Sequence, residues 1–263
     1  SLRRQRQMCI RDRHSVATSH FYDIFRYQIL DTNSYIEEIW AYGYWAIDRC
    51  ARIIKEGASF KEVTKGDLTE VEGCIAQAYA IKALCSFYLT NMFGLPYSEA
   101  NKTTLGIVNV TEPVPAYSQV SRVSVEQNYS LILDDITKAK EYYAKEGVEN
   151  VGKQYMNTAA VAALEARVKL YMKNYEGAIT AAQEAITLSG GTIVSTKEDY
   201  KNMYTTLAVS TEDIFFIAKA EDDYLSANAL NTLWNKYGLS INSATIAEYS
   251  SCLLYTSDAA DEG

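Results

Sequence analysis

Proline, histidine and recognisable catalytic motifs are all scarce in this chain. Its 263 residues include three prolines and two histidines. The prolines, Pro96, Pro113 and Pro115, all lie between residues 95 and 122, and this stretch is predicted to be a long loop without helical periodicity. The sequence contains no G-x-S-x-G, H-E-x-x-H, P-loop or G-x-G-x-x-G pattern. We therefore expect a protein that is not an enzyme.

The five cysteines follow neither a metal-binding nor a disulfide spacing. Two of them, Cys9 and Cys252, lie in terminal strings that are discussed below. Cys74 and Cys85 are predicted on one helix, about 16 Å apart along its axis, which is too far for a disulfide. Together with Cys50 they are expected to be small core residues, and we predict no metal and no cofactor.

Basic residues are outnumbered by acidic ones. The chain has 25 Lys and Arg against 33 Asp and Glu, a formal net charge of −8. A surface with this balance repels phosphate backbones, so we expect no nucleic-acid partner.

The stretch from Ile75 to Phe93 is apolar on nearly every face. A helix of this kind must be buried on most sides. A narrow polar strip interrupts it, and Lys82 near its centre makes a membrane span unfavourable by about 2.5 to 3.5 kcal/mol. We therefore predict a central buried helix. Its large apolar side chains are Tyr79, Leu84, Phe87, Tyr88, Leu89, Met92 and Phe93, and the strip consists of Gln77, Lys82, Ser86 and Thr90.

This stretch resembles the SusD/RagB family of outer-membrane nutrient-binding proteins. Members of that family carry the pattern E-A-x-F-x-R-A-x-x-Y-F-x-L-x-x-x-F-G followed by a short turn and Pro. Two polar positions differ, with Gln77 in place of an acidic residue and Lys82 in place of Arg. The matching residues are Ala83, Phe87, Tyr88, Leu89, Phe93, Gly94, Pro96 and Tyr97.

Two further stretches resemble the same family. One follows a capping box at Ser124 and Gln127 and reproduces Y-x-x-I-x-x-D-L-x-x-A. The other forms an Ala-rich helical hairpin, 157–189, with the character of a tetratricopeptide unit. The first set of matches is Tyr129, Ile132, Asp135, Ile136 and Ala139, and the second is Ala160, Ala163, Leu164, Ala166, Arg167, Leu170, Tyr171, Tyr175 and Ala178.

Other elements are predicted from periodicity and capping residues. A helix should begin after the Thr32, Asn33 and Ser34 capping group and end near Glu56, with Gly57 as the C-terminal glycine. On the helix that begins after Ser124, Asp134 and Asp135 are assigned to the solvated face. Residues 198–204 are predicted to form a short helix, and 213–218 a strand.

The resemblance implies a mainly α, SusD-like helical fold with tetratricopeptide-like helix pairs and few short strands. Residues 1–13 and 251–263 resemble translated sequencing-adaptor read-through and are expected to be non-native flanks. We expect residues 14–250 to be a truncated SusD-like N-terminal helical domain, with the C-terminal part starting after about residue 210.

The implied function is that of a surface lipoprotein of the bacterial outer membrane. It would bind an oligosaccharide or another nutrient and deliver it to a SusC-like TonB-dependent transporter during polysaccharide utilisation. The membrane contact would be made only through a lipid anchor that these residues do not include. The alternative is a tetratricopeptide-type adaptor for protein–protein interaction.

A glycan site needs aromatic rings with one exposed side, because the apolar face of a pyranose stacks on such a ring. Core-facing rings on periodic helices are already in contact, so irregular segments are favoured. This selects Tyr22 and Tyr27 before the first helix, and Tyr224 and Trp234 after the predicted strand. Trp234 is preferred, because indole offers the largest stacking face and an N–H donor.

Overall fold

The computed structural model describes residues 28–63, 65–205 and 209–218, together with the backbone of 14–16 and 239–241. The chain divides into two units, residues 1–37 with 219–263, and residues 38–218. In the first unit, β1 (His14–Val16) pairs antiparallel with β2 (Leu239–Ile241). The central pair of this ladder joins Ser15 to Ser240.

The described part of the chain is mainly helical, as predicted. Its six helices are α1 (Ser34–Val63), α2 (Thr69–Phe93), α3 (Val125–Tyr143), α4 (Thr158–Tyr171), α5 (Tyr175–Ser189) and α6 (Lys197–Thr205). The long loop 95–122 lies between α2 and α3 and contains no helix, which confirms its prediction. It makes an isolated bridge to the start of α3, between Leu105 and Ser124.

Helix α2 is the centre of the second unit. Its residues Ala76, Ala80, Ala83 and Phe87 are buried against apolar residues of α3 and α4. A smaller cluster lies at the other side of α2, where it meets α1 and the long loop. Both clusters confirm the central buried helix, although Tyr88 and Met92 of the predicted apolar set are 46% and 58% exposed. The smaller cluster contains Ile47, Ala51, Leu89, Ile107 and Val110.

The predicted helix ends are largely confirmed by their capping hydrogen bonds. The Ser124 hydroxyl accepts from the Gln127 N–H at 3.2 Å, and the Gln127 side chain accepts from the Ser124 N–H at 3.0 Å. Asn157 caps α4 through the Ala160 N–H, and Gly190 ends α5 in the left-handed conformation at φ 59°. The hairpin is formed by α4 and α5, with Lys173 at φ 64° in its tight turn.

The predicted end of α1 at Gly57 is wrong. The helix continues to Val63, and Gly57 lies in its interior. A Cβ at Gly57 would lie 2.8 Å from Cδ1 of Ile75 on α2. Gly57 therefore allows two helices to approach each other, and the absence of a side chain serves packing instead of chain termination.

The predicted strand at 213–218 is also not present. These residues form a bend and an irregular segment in the structure. Their backbone groups are bonded to the distant segment before α4, with the Phe216 N–H donating to the Lys153 carbonyl at 3.0 Å and the Asn157 side chain donating to the Ile214 carbonyl at 3.2 Å. The apolar run is explained by packing, since Ile214 and Phe215 lie against the main core.

Candidate functional site

The four aromatics selected from the sequence, Tyr22, Tyr27, Tyr224 and Trp234, lie outside the described residues. They remain predictions. The described residues instead contain a cleft that the sequence reasoning did not select.

This cleft lies between α1 and the loop segment 108–120. It has a volume of about 350 Å³. We call it the aromatic cleft. It is lined by Trp40, Tyr44, Trp45, Asp48 and Arg52 of α1 and by Val108, Val110, Val114 and Val120 of the loop.

The helical repeat explains why Trp45, Asp48 and Arg52 share one side of α1. Residues three and seven positions apart fall on the same face of a helix. Ile47 and Ala51 lie about 100° round the helix from Asp48 and Arg52, where they are 1% exposed in the core between α1 and α2. The three cleft residues are therefore held on a helix whose neighbouring side is anchored in the core.

Trp45 provides an open aromatic surface. It is 59% exposed, and its ring makes an edge contact with Tyr42 at a centroid distance of 5.1 Å and an interplanar angle of 88°. An edge contact of this kind fixes the orientation of a ring and leaves ring surface free. Trp45 can therefore offer a stacking surface to a flat apolar ligand face.

Asp48 and Arg52 form an ion pair beside that ring. The Arg52 Nε donates to Oδ2 of Asp48 at 2.7 Å, and Nη2 donates to Oδ1 at 3.4 Å. The hydrogen bond to Asp48 raises the pKa of Arg52 above its usual value. The pair is partly exposed, so its remaining lone pairs and N–H groups can bind ligand hydroxyls.

Tyr44 attaches the loop to α1 at the base of the aromatic cleft. Its hydroxyl accepts from the Val108 N–H at 2.8 Å and donates to the Val108 carbonyl at 3.0 Å. Burial raises the pKa of Tyr44 to about 12, so the phenol keeps its proton at neutral pH.

Arg122 and Asn128 hold the same loop from further along the chain. The Arg122 guanidinium donates to the carbonyls of Gly106 and Phe93. The buried Asn128 amide accepts from the Ile107 N–H at 2.8 Å and donates to the Ile107 carbonyl at 3.1 Å. The part of loop 95–122 that lines the aromatic cleft forms its loop wall. The loop wall is consequently fixed by side chains of α1 and α3 and by Arg122 of the loop itself.

Lys82 of α2 supports the wall from inside the core. Its Nζ lies 3.0 Å from Oδ1 of Asp135 and donates to the Val110 carbonyl at 3.2 Å. Both ionic side chains are less than 5% exposed, so the assignment of Asp135 to the solvated face is wrong. The polar strip of α2 is buried too, because Ser86 and Thr90 are 6% and 1% exposed.

Asp135 is the most perturbed acid in this region. Burial raises its pKa to about 6, and the nearby Lys82 opposes that rise. Its second oxygen, Oδ2, is buried without a hydrogen-bond partner among the described residues. The pair is sealed in the core between α2 and α3, and we assign it a structural role.

Across 28–63, 65–205 and 209–218, no three His, Cys, Asp or Glu side chains are grouped so that they could hold a metal ion. Over these ranges there is also no helix with the length and apolar character needed to cross a membrane.

Several solved structures resemble this chain. A protein from Bacteroides vulgatus that is provisionally described as sugar binding has 25% identity and a TM-score of 0.74, over 89% of this chain and 53% of its own. A SusD superfamily protein from Bacteroides thetaiotaomicron has 26% identity and a TM-score of 0.61, over 70% and 39%. Another from Bacteroides vulgatus, at 24% identity and a TM-score of 0.67, shares the fold. The chain thus spans about half the length of these relatives, or less.

Among curated proteins no match was found. A sequence profile of the SusD-like family, described as starch-binding associating with outer membrane, matches residues 5–170, which is more than half of the chain. The three sequence patterns on α2, α3 and the α4–α5 hairpin fall within or next to this range, and the helical architecture agrees with the solved SusD superfamily structures. The chain therefore belongs to the SusD-like family.

Proposed function

We propose that this protein binds glycans at the surface of the bacterial outer membrane. The observation that carries the proposal is the family match over residues 5–170, whose description names starch binding and association with the outer membrane. The described residues support it by presenting an open aromatic ring beside a polar pair. Binding, without a catalytic step, is the role that this combination favours.

The aromatic cleft is the described surface best suited to such a ligand. The apolar face of a pyranose would stack on Trp45, and the flanking hydroxyls would bind Asp48 and Arg52. The four sequence-selected aromatics, with Trp234 preferred, are proposed as additional platforms. Several platforms along one surface would suit an oligosaccharide of several units.

The proposal also covers the partner of the protein and its attachment to the membrane. We propose that the protein passes its ligand to a SusC-like TonB-dependent transporter and is attached to the membrane through a lipid anchor. Family membership supports both statements. Co-purification with a SusC-like transporter would test the first, and labelling of the protein with a fatty acid in the producing cells would test the second.

Affinity electrophoresis tests glycan binding directly. The full 263-residue chain is run through native gels containing starch or laminarin, and we expect at least one polysaccharide to retard it. Trp45→Ala should reduce the retardation, because the stacking surface is lost. Phe60→Ala is the matched control, since Phe60 is a 48% exposed aromatic of α1 outside the cleft.

Two outcomes would contradict the proposal at different levels. Equal retardation of the Trp45 and Phe60 variants would reject the aromatic cleft while glycan binding itself stands. A chain that no polysaccharide retards would reject glycan binding and favour the tetratricopeptide-type adaptor, for which the α4–α5 hairpin provides the scaffold.

A further inference from the structure

We propose that Tyr117 is a stacking platform on the loop side of the aromatic cleft, and that the cleft takes an oligosaccharide chain long enough to reach both Tyr117 and Trp45. This inference rests on the proposed function and adds a binding residue to the same site. Two observations carry it. The Tyr117 ring is fully exposed, and its backbone has a conformation that tyrosine disfavours.

The backbone of Tyr117 lies in the left-handed region, with a φ of 64°. Tyr117 is the third residue of a turn that begins at Pro115, whose carbonyl accepts from the Ser118 N–H at 3.2 Å. A positive φ at the third position of a β-turn favours glycine or asparagine. A bulky side chain in this conformation is strained, and strained residues of this kind cluster at ligand sites.

The fold does not account for this conformation. Lys173 is the other described residue, glycine apart, with a positive φ. It follows the end of α4, where a left-handed residue commonly closes a helix. Tyr117 lies at no helix end, and it belongs to the turn within the loop 95–122.

The Tyr117 side chain gains nothing from packing. It is 104% exposed, so neither face of its ring is covered in the free protein. An aromatic side chain normally contributes to stability through the area that it buries. Because Tyr117 buries none, nothing within the described chain offsets its backbone strain. A ligand that stacks on the ring would bury this area.

The turn places Tyr117 at the rim of the aromatic cleft. Val114 and Val120, three residues away on either side, both line the cleft. The Cα of Tyr117 therefore lies within about 11 Å of the Cα atom of each valine. Trp45 lines the cleft from α1. The two exposed rings thus belong to opposite walls, and a chain of several sugar units can contact both.

The loop wall is stiff close to Tyr117. Pro113 and Pro115 fix their own φ angles and restrict the residue before each of them to extended conformations. Further back, the Tyr44 hydroxyl is bonded to both backbone groups of Val108. A turn that is held in place before binding loses little conformational freedom when a ligand arrives.

The test uses the full chain in native gels that contain starch or laminarin. Tyr117→Gly removes the ring and supplies a residue that the turn favours. We expect the melting temperature, measured by circular dichroism, to rise. The dissociation constant for the retarding polysaccharide should increase about tenfold, as expected for the loss of one stacking contact. Tyr117→Phe keeps the ring and should be retarded as the wild type is.

Tyr155→Gly is the matched control. Tyr155 is a 52% exposed tyrosine of the irregular segment between α3 and α4, and it does not line the cleft. Its φ is not positive, so glycine relieves no strain there. This variant should keep the wild-type retardation without a rise in melting temperature.

Several results would overturn the inference. Unchanged retardation of Tyr117→Gly, with retardation lost in Trp45→Ala, would reject Tyr117 as a platform while the proposed function stands. A lower melting temperature of Tyr117→Gly would show that the ring packs on the protein. An equal loss of retardation in Tyr117→Phe would show that the ring face does not hold the ligand, and an equal loss in Tyr155→Gly would show that the effect is not specific to the cleft. A wild-type chain that neither polysaccharide retards would remove the proposed function and this inference with it.

Discussion

The Lys82 ammonium lies 3.0 Å from the Asp135 carboxylate and joins α2 to α3 inside the core. The two charges are removed from water, and their attraction must offset a desolvation cost of several kcal/mol per ion. Such a pair adds little net stability compared with an apolar pair of the same volume. Removal of one partner alone is costly, because it leaves the other charge buried and unpaired.

The first prediction is that Lys82→Met lowers the free energy of unfolding by about 3 to 5 kcal/mol, the usual cost of breaking a buried ion pair. Guanidinium chloride unfolding followed by circular dichroism measures it. Lys138→Met is the control, since the exposed ion pair of Lys138 with Glu141 should contribute less than about 1 kcal/mol. Equal losses of unfolding free energy in the two variants would show that the buried ion pair of Lys82 matters no more for stability than the exposed pair of Lys138.

The second prediction concerns pH. Burial raises the folded-state pKa of Asp135 from 3.8 to about 6, so the folded protein holds this proton more tightly than the unfolded chain does. The contribution of Asp135 to stability should therefore fall by about 3 kcal/mol as pH rises from about 4 to about 6 and stay constant above that range. The difference in unfolding free energy between the wild type and Asp135→Asn, measured across this range, isolates the effect. A difference independent of pH would contradict the shift.

The third prediction links Asn128 to the loop wall. Asn128→Ala removes the bonds to both backbone groups of Ile107 and leaves these buried groups unpaired. We expect a loss of about 1 to 3 kcal/mol for the orphaned groups. Hydrogen exchange should show faster exchange at the Ile107 and Val108 amides, with little change in the α4–α5 hairpin. Uniform acceleration over all helices would indicate global destabilisation instead.

The fourth prediction tests the role of Gly57. An exposed helix glycine replaced by Ala usually gains about 0.5 to 1 kcal/mol. Gly57→Ala should instead lose about 1 to 3 kcal/mol, because the new methyl group would press on Ile75. In an Ile75→Ala background the same change should no longer destabilise. A stabilising effect in the wild-type background would show that α1 and α2 are not in close contact there.

The fifth prediction retains Trp234 as a glycan platform. Trp234→Ala should weaken retention of the full chain in polysaccharide gels and leave the melting temperature nearly unchanged, because a stacking platform has one ring face in solvent. Tyr224→Ala provides a parallel measurement on the same segment. A collapse of the melting transition, with binding per folded molecule preserved, would identify Trp234 as a core residue.

Much of the fold could be predicted because it follows from local patterns. The capping box of Ser124 and Gln127 depends on four consecutive residues, and it was predicted correctly. The burial of α2 follows from an apolar surface on nearly all faces. These features can be predicted without knowing which helices pack against each other.

The errors concern residues whose role depends on a distant partner. Asp135 was assigned to solvent because it follows another acid on a mostly polar face, and only the contact with Lys82 explains its burial. Both positions belong to the family patterns, because Asp135 matches the acid of one pattern and Lys82 stands in place of the Arg of another. An acid and a base at two family positions were the available signal that the two side chains form a pair. Gly57 was taken for a helix end because its contact with Ile75 is not visible in local sequence.

The aromatic cleft was missed for a related reason. Trp45 lies on a periodic helix, and rings on such helices were set aside as core. Its position on the same side of α1 as Asp48 and Arg52 was nevertheless readable from the sequence. The loop that forms the other wall could not be placed, since its position depends on Tyr44, Asn128 and Arg122.

The double hydrogen bond between the Tyr44 hydroxyl and Val108 has a consequence for binding kinetics. A wall that is fixed before the ligand arrives requires no closing step, so the rate of association should depend linearly on ligand concentration. When association requires no rearrangement, differences in affinity among related ligands are found mainly in the rate of dissociation. Residence time on the cleft would then distinguish one glycan from another.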